Sequence, residues 1–161
     1  YLCARMRRGA LYNIAKKLGC NKLALGHHFD DVIETTVMAI LNNGKFETML
    51  PKLHSENFDG MEIIRPMYLI REKSIINWAN KNELEFIRCA CRFTERNEEL
   101  GIENIESKRL ETKLLIKDLE KKNPLFIKNL FKVTSNVNLN KILGYRKDGK
   151  LYNYLEDYDD Q

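Results

Sequence analysis

A short apolar run, Leu23-Ala24-Leu25, passes directly into Gly26-His27-His28-Phe29-Asp30-Asp31-Val32-Ile33-Glu34-Thr35-Thr36. An apolar run closed by a glycine reads as a buried strand, and the residues after it repeat at helical spacing. Two histidines and three carboxylates therefore crowd one strand-to-helix turn. In open α/β sheets, ligands bind at that turn, outside the carboxyl ends of the strands. Ionisable groups are costly to desolvate, so packing alone does not account for so many of them in one place. Asp31 is the expected N-cap of the helix, with Glu34 three residues later completing a capping box. Capping explains Asp31 and Glu34 and leaves His27, His28 and Asp30 for chemistry. Carboxylates at Asp30 and Asp31 suit a Mg²⁺ ion beside a polyphosphate, with the histidines on phosphate or the reacting group.

The pattern on either side builds an α/β protein. Met6, Ala10, Leu11, Ile14, Ala15 and Leu18 share one helical face, and Gly19 is placed to end that helix. Lys22 to Leu25 is the strand. Val32, Ile33, Thr36, Val37, Ile40 and Leu41 give the next helix its inner stripe, ended by Asn42-Asn43-Gly44. Met61 to Arg65 reads as a strand that Pro66 halts, with a possible hairpin partner near Leu50 to Leu53. Glu72 to Lys81 is helical around Ile75, Ile76 and Ala79, and Glu85 to Arg88 forms another short strand. Ile105, Leu110, Leu114, Leu115 and Leu119 mark a long helix, and Asn123-Pro124 starts another. The expected architecture is a partial parallel Rossmann-like sheet with flanking helices and a C-terminal helical extension. One domain is expected over 1–161: sheet and core helices over 1–103, C-terminal helices over 104–150, and a disordered acidic tail over 151–161.

Charge is unevenly spread. The net value is +4, yet Glu156, Asp157, Asp159 and Asp160 fall within the last six residues. Removing those four from the 23 acidic residues leaves 19 against 27 basic ones, a balance of +8. A basic body favours an anionic partner such as RNA. No apolar run approaches the roughly 18 residues needed to span a membrane, and a cytoplasmic setting is expected. Four cysteines, Cys3, Cys20, Cys89 and Cys91, are too sparse for a disulfide framework and point to metal or redox use, Cys20 reading as an incidental loop thiol.

The run from Gly26 to Thr35 resembles the second signature of the PP-loop ATPases that activate tRNA bases as adenylates. Upstream, Cys3-Ala4-Arg5-Met6-Arg7-Arg8-Gly9-Ala10-Leu11-Tyr12 narrows the resemblance to the TtcA family, the tRNA 2-thiocytidine synthetases. Gly44-Lys45-Phe46, Met49-Leu50-Pro51-Lys52-Leu53 and Ile64-Arg65-Pro66-Met67 follow in the family's order. The family's glycine-rich phosphate loop has no counterpart in these residues. Of its Cys-x-x-Cys, the second cysteine stands here as Cys3. The chain is thus expected to match the C-terminal portion of a synthetase, lacking the phosphate loop.

The resemblance implies ATP-dependent adenylation of a cytidine C2 oxygen in the tRNA anticodon loop, followed by thiolation to 2-thiocytidine. Asp30, Asp31, His27 and His28 would be catalytic, and Gly26, Glu34 and Arg8 would meet the nucleotide. Cys3 and Cys89 would ligate a 4Fe-4S cluster, whose occupancy is expected to fail in a chain missing the third cysteine. Cys91 is an alternative to Cys89, zinc an alternative to the cluster, and ordinary free thiols the plainest reading. A cysteine desulfurase is the implied sulfur donor.

Arg5, Arg7 and Arg8 cluster beside Cys3, where they would meet tRNA phosphate. Arg109, Lys113, Lys117 and Lys121 recur every four residues, as a cationic ridge able to follow an RNA backbone. The competing account is a solvated face neutralised by Glu106, Glu111, Asp118 and Glu120. An exposed apolar edge is expected to favour a homodimer or other self-association. Two rival functions remain: another PP-loop ligase of the lysidine synthetase type, which needs no cysteines, and a non-catalytic RNA-binding fragment.

Overall fold

A computed structural model, which describes residues 2–86, 105–156 and 158, realises the central strand–turn–helix. Helix α1 (Leu2–Lys17) is followed by β1 (Lys22–Ala24) and α2 (Phe29–Asn43). Gly19 and Gly44, at φ 72° and 60°, stop the two helices as the sequence predicts. The left-handed backbone there suits a residue without Cβ. Strands β2 (Lys52–His54) and β3 (Glu62–Ile64) come next, then α3 (Glu72–Lys81), α4 (Ile105–Lys122) and α5 (Phe126–Val133). A hairpin of β4 (Gly144–Lys147) and β5 (Lys150–Asn153) follows.

The sheet runs β1-β3-β2. Strands β1 and β3 are parallel, with Ala24 beside Ile64, and β2 adds to β3 antiparallel, with His54 opposite Glu62. The result is the expected parallel pair plus the expected hairpin, a mixed sheet. Lys22 reaches Glu62 at 2.9 Å across the parallel pair, and its hydrogen bond holds the Glu62 carboxyl below the ordinary carboxylate range.

Buried apolar side chains form two clusters. In one, Ile33 and Val37 of α2 pack with Ile116 of α4 and Ile127 of α5, and the Phe29 and Phe131 rings lie 4.8 Å apart. In the other, Tyr12 of α1 stacks on Phe58 at 4.5 Å and packs with Met61 and Ile63 of the β3 region. Helix α2 thus hangs on α4 and α5, while α1 covers the sheet.

Several expectations need correction. Helix α1 buries Tyr12, not the predicted stripe: Leu11, Ile14 and Leu18 are exposed, Leu18 at 74%. Among the described residues β1 lies at the edge of the sheet with only Leu23 half-buried, where a buried strand is expected. Helix α4 turns Thr112 and Ile116 inward and leaves Leu110 and Leu114 outside, while Arg109 reaches Glu34 of α2 and Lys113 reaches Glu72 of α3. Residues 151–153, expected to be disordered tail, form β5. Asp148 and Gly149 both have positive φ, the geometry of a tight hairpin turn, and the stacked pair Tyr145 and Tyr152 closes it. The predicted strand at 85–88 is not seen at residues 84–86, which are irregular; Arg88, Cys89 and Cys91 lie outside the described residues.

Candidate functional site

Parallel strands β1 and β3 end side by side, so residues 25–28 and 65–72 leave the sheet at the same rim. Leu25 donates its N–H to Ile64 O at 2.9 Å, and Phe29 donates to Ile70 O at 3.0 Å. The second bond sets the first turn of α2 against the start of α3. Two helix N-termini, each with positive dipole character, therefore meet at this rim, and carboxylates gather there.

His28, not Asp31, is the N-cap of α2. Its backbone is extended (φ −123°, ψ 179°), its Nδ1 accepts the Asp31 N–H at 3.4 Å, and Asp31 Oδ2 accepts the His28 N–H at 2.9 Å. The capping box lies three residues earlier than predicted, which releases Glu34 from capping. His27 faces a different group: its Nδ1 accepts from Arg65 Nε at 3.4 Å. The two histidines are thus divided between neighbours.

A chain of ion pairs ties the three helices. Asp30 Oδ1 accepts from Arg71 Nε at 2.9 Å, and its Oδ2 accepts the Glu72 N–H at 2.6 Å. Arg71 offers α3 no side-chain cap, so Asp30 of α2 supplies one from outside. Arg71 continues to Glu120 of α4 at 3.1 Å. Arg109 of α4 bonds Asp31 and reaches Glu34 Oε2 at 2.8 Å. Lys113 reaches Glu72 at 2.7 Å. That hydrogen bond holds the Glu72 carboxyl below its ordinary range and the Lys113 ammonium above its own. Burial alone would lower Arg71 and Arg109, but bonds to Glu120 and Asp30, and to Glu34 and Asp31, outweigh it.

Two cavities open on this network. One, of about 360 Å³, is lined by His28, Asp31, Glu34, Glu72, Arg109 and Lys113, with Leu110 as its apolar wall. The other, of about 340 Å³, lies between α2, α3 and α4, with Asp30, Arg71, Lys113 and Lys117 on its walls.

Of the predicted site residues, the rim gathers His28, Asp30, Asp31 and Glu34. It also gathers Arg109 and Lys113, which the sequence assigns to an RNA ridge; here they face carboxylates, and the ridge is interrupted. Gly26 sits exposed in the turn, and a Cβ there would make only ordinary contact with Met67 at 3.6 Å, so packing does not require a glycine. Cys3, Arg5, Arg7 and Arg8 lie in α1, but their side chains, like Cys89, lie outside the described residues. Sequence reasoning missed Arg71, Glu72 and Glu120 as rim residues. The signal for Arg71 was its place between a proline-halted strand and a helix start.

Fit to the implied cofactors differs. All four oxygens of Asp30 and Asp31 already accept hydrogen bonds, from Arg71, Arg109 and two backbone N–H groups. Among the described residues no group of three or more His, Cys, Asp or Glu side chains is arranged to hold a metal ion. The pair therefore does not fit the expected Mg²⁺ cage, because arginines have taken the places a cation would fill. For an iron–sulfur cluster, Cys3 lies in the first turn of α1 and exposed Cys20 lies beyond its far end, a separation of roughly 20 Å by helical rise, so Cys20 is not a co-ligand.

A parallel strand pair with a His-His-x-Asp-Asp turn at its carboxyl rim defines the class: the chain belongs to the PP-loop domain family, whose model matches residues 3–96. It is 37% identical to the tRNA-cytidine(32) 2-sulfurtransferase of Geobacter sulfurreducens over 84% of this chain and 49% of that protein. To the enzyme of the same name from Coxiella burnetii (strain Dugway 5J108-111) it is 35% identical over 96% of this chain and 55% of that one. The chain spans about half the length of these curated relatives. Its fold is similar to the U34-tRNA thiolase NcsA from Methanococcus maripaludis, solved with its 4Fe-4S cluster, at a TM-score of 0.57 and 22% identity, covering 84% of this chain and 44% of that one. Among the described residues no helix is long and apolar enough to cross a membrane.

Proposed function

We propose that this chain supplies the rim-bearing part of an ATP-dependent tRNA sulfurtransferase that makes 2-thiocytidine, working in the cytoplasm. The observation that carries this reading is the placement of the His28-to-Glu34 signature at the ends of two parallel strands, in a chain 35–38% identical to tRNA-cytidine(32) 2-sulfurtransferases. Adenylation turns the C2 oxygen of cytidine, a poor leaving group, into one that departs with AMP. Sulfur then takes its place.

Within that scheme, Arg109 and Lys113 are the cations that meet phosphate oxygens in the 360 Å³ cavity, with His28 at the α-phosphate side. The cavity wall carries Asp31, Glu34 and Glu72 against those two cations. A triphosphate enters such a site only with a counter-cation, which is the reason to retain Mg²⁺ in the scheme. It would be carried by the nucleotide's phosphates, with no residue of this rim holding it. Gly26, which packing does not explain, leaves the backbone open to close approach by the nucleotide. Arg8 would be a further nucleotide-binding residue.

Cys3 and Cys89 would provide two of the thiolates that hold a 4Fe-4S cluster, a group that would supply the sulfur-transfer chemistry at the activated base. A cysteine desulfurase supplies that sulfur, and tRNA is held partly by Arg5, Arg7 and Lys117. Exposed Leu11, Ile14 and Leu18 on α1 favour self-association.

The test is nucleoside mass spectrometry of tRNA from cells with and without the encoding gene. Loss of 2-thiocytidine on deletion is expected; its persistence would overturn the reading.

A further inference from the structure

The β4–β5 hairpin lies outside everything the rim accounts for. Its register pairs Tyr145 with Tyr152 and Lys147 with Lys150, so these four side chains share one face. The tyrosine rings stack at 4.8 Å and 6°, and Lys150 Nζ stands 4.9 Å from the Tyr152 ring centroid. Arg146 lies on the opposite face, paired with Leu151. Along 144–153 there are three cations against one carboxylate, Asp148 in the turn. Among the described residues, no salt bridge joins Arg146, Lys147 or Lys150 to a carboxylate, whereas Arg71, Arg109 and Lys113 are all so joined.

Two lysines placed directly opposite on an antiparallel pair repel each other, and such pairs are destabilising. The hairpin nevertheless sets them beside an aromatic stack, all exposed or half-buried. A polyanion with flat rings satisfies both halves of that surface: phosphates offset the lysine pair, and a base or ribose edge lies against the tyrosines. We propose that the Tyr145–Lys147–Lys150–Tyr152 face is an RNA-contacting surface of this chain, engaging the phosphate backbone of its tRNA substrate. This rests on the tRNA reading above and adds a contact site to it.

The experiment titrates a fluorescent anticodon stem-loop with the chain at several salt concentrations, comparing wild type, the Lys147→Gln/Lys150→Gln double variant, and Lys147→Glu. Each lost phosphate contact lowers the slope of log affinity against log salt by ~0.7–0.9, so the double variant should lose about 1.5 in slope and roughly tenfold in affinity. Lys147→Glu sets opposite charges at the closing pair, so the hairpin should be retained or strengthened while RNA binding falls several-fold. A purely structural role for the lysines would not give that combination. Binding by both variants with wild-type affinity and slope overturns the inference and leaves the tRNA reading standing. Failure of the wild-type chain to bind any RNA overturns both.

Discussion

The rim and the C-terminal hairpin are both rich in cations, and the structure treats them in opposite ways. At the rim, Arg71, Arg109 and Lys113 are drawn onto carboxylates from three helices, so a region dense in charge is locally balanced and mechanically tied. On the hairpin, Lys147 and Lys150 face each other with no described carboxylate to relieve them. Counting charges along the sequence cannot separate these cases. What separates them is whether the fold brings an opposite charge within a few ångströms. Rim charges should therefore matter to stability as well as to the nucleotide, and hairpin charges to RNA binding alone.

The sharpest way to break that contrast is to remove Arg109. Asp31 and Glu34 are buried at 9% and 5% exposure, and without the guanidinium Glu34 loses its hydrogen-bonded cation while Asp31 keeps its bond from the His28 N–H. Arg109→Met should cost about 1–3 kcal/mol in urea unfolding, below the range for a fully buried pair because the arginine is half exposed. A cost near zero would put the rim in the same class as the hairpin.

Asp30 tests the link between α2 and α3. Asp30→Ala removes the cap on the Glu72 N–H and the bond to Arg71, and should cost about 1–2 kcal/mol. Hydrogen exchange at the Glu72 amide should speed up with it, and unchanged protection there would sever the proposed link.

A smaller effect lies in the pH dependence. The folded carboxyl of Glu72 sits below its ordinary value of 4.5 through its bond to Lys113, so the unfolded chain binds the proton more readily. That contribution is present above pH 4.5 and fades as pH falls through the lowered folded value. Lys113→Met should flatten this part of the acid limb in a series of unfolding curves. The pair is about a third exposed, so only a modest change is expected. An unaltered acid limb would show that the bond is not maintained in solution.

Local signals in the sequence located much of this fold. Gly19 and Gly44 stop helices where a left-handed residue is needed, Pro66 follows β3, the Glu72–Lys81 helix falls where periodicity places it, and β2 overlaps the hairpin partner offered near Leu50 to Leu53. The rim position of the His-His-x-Asp-Asp turn was also legible, because a strand-to-helix turn is a local feature. Pairings were not. Arg71 meets Asp30 across 41 residues, and Arg109 meets Glu34 across 75, distances at which no periodicity links two side chains. For the same reason the i, i+4 basic ridge on α4 reads as an RNA surface, although Arg109 pairs with α2 and Lys113 with α3. The α4 leucines mislead as well: helical spacing shows that a face is apolar, not which partner it meets, and Ile116 turns inward while Leu110 and Leu114 stay exposed. Residues 151–153 were read by their acidic neighbours, and the two-residue turn at Asp148-Gly149 was the stronger signal.

The central claim is that the signature carboxylates are held by arginines of neighbouring helices. Its most direct test is a double-mutant cycle on Glu34 and Arg109, using Glu34→Gln, Arg109→Met and the pair, by urea denaturation. A coupling of about 1–2 kcal/mol is predicted for a 2.8 Å pair with one partner buried. Additivity of the two changes, within about 0.3 kcal/mol, would show that the two side chains do not hold each other and would contradict the account.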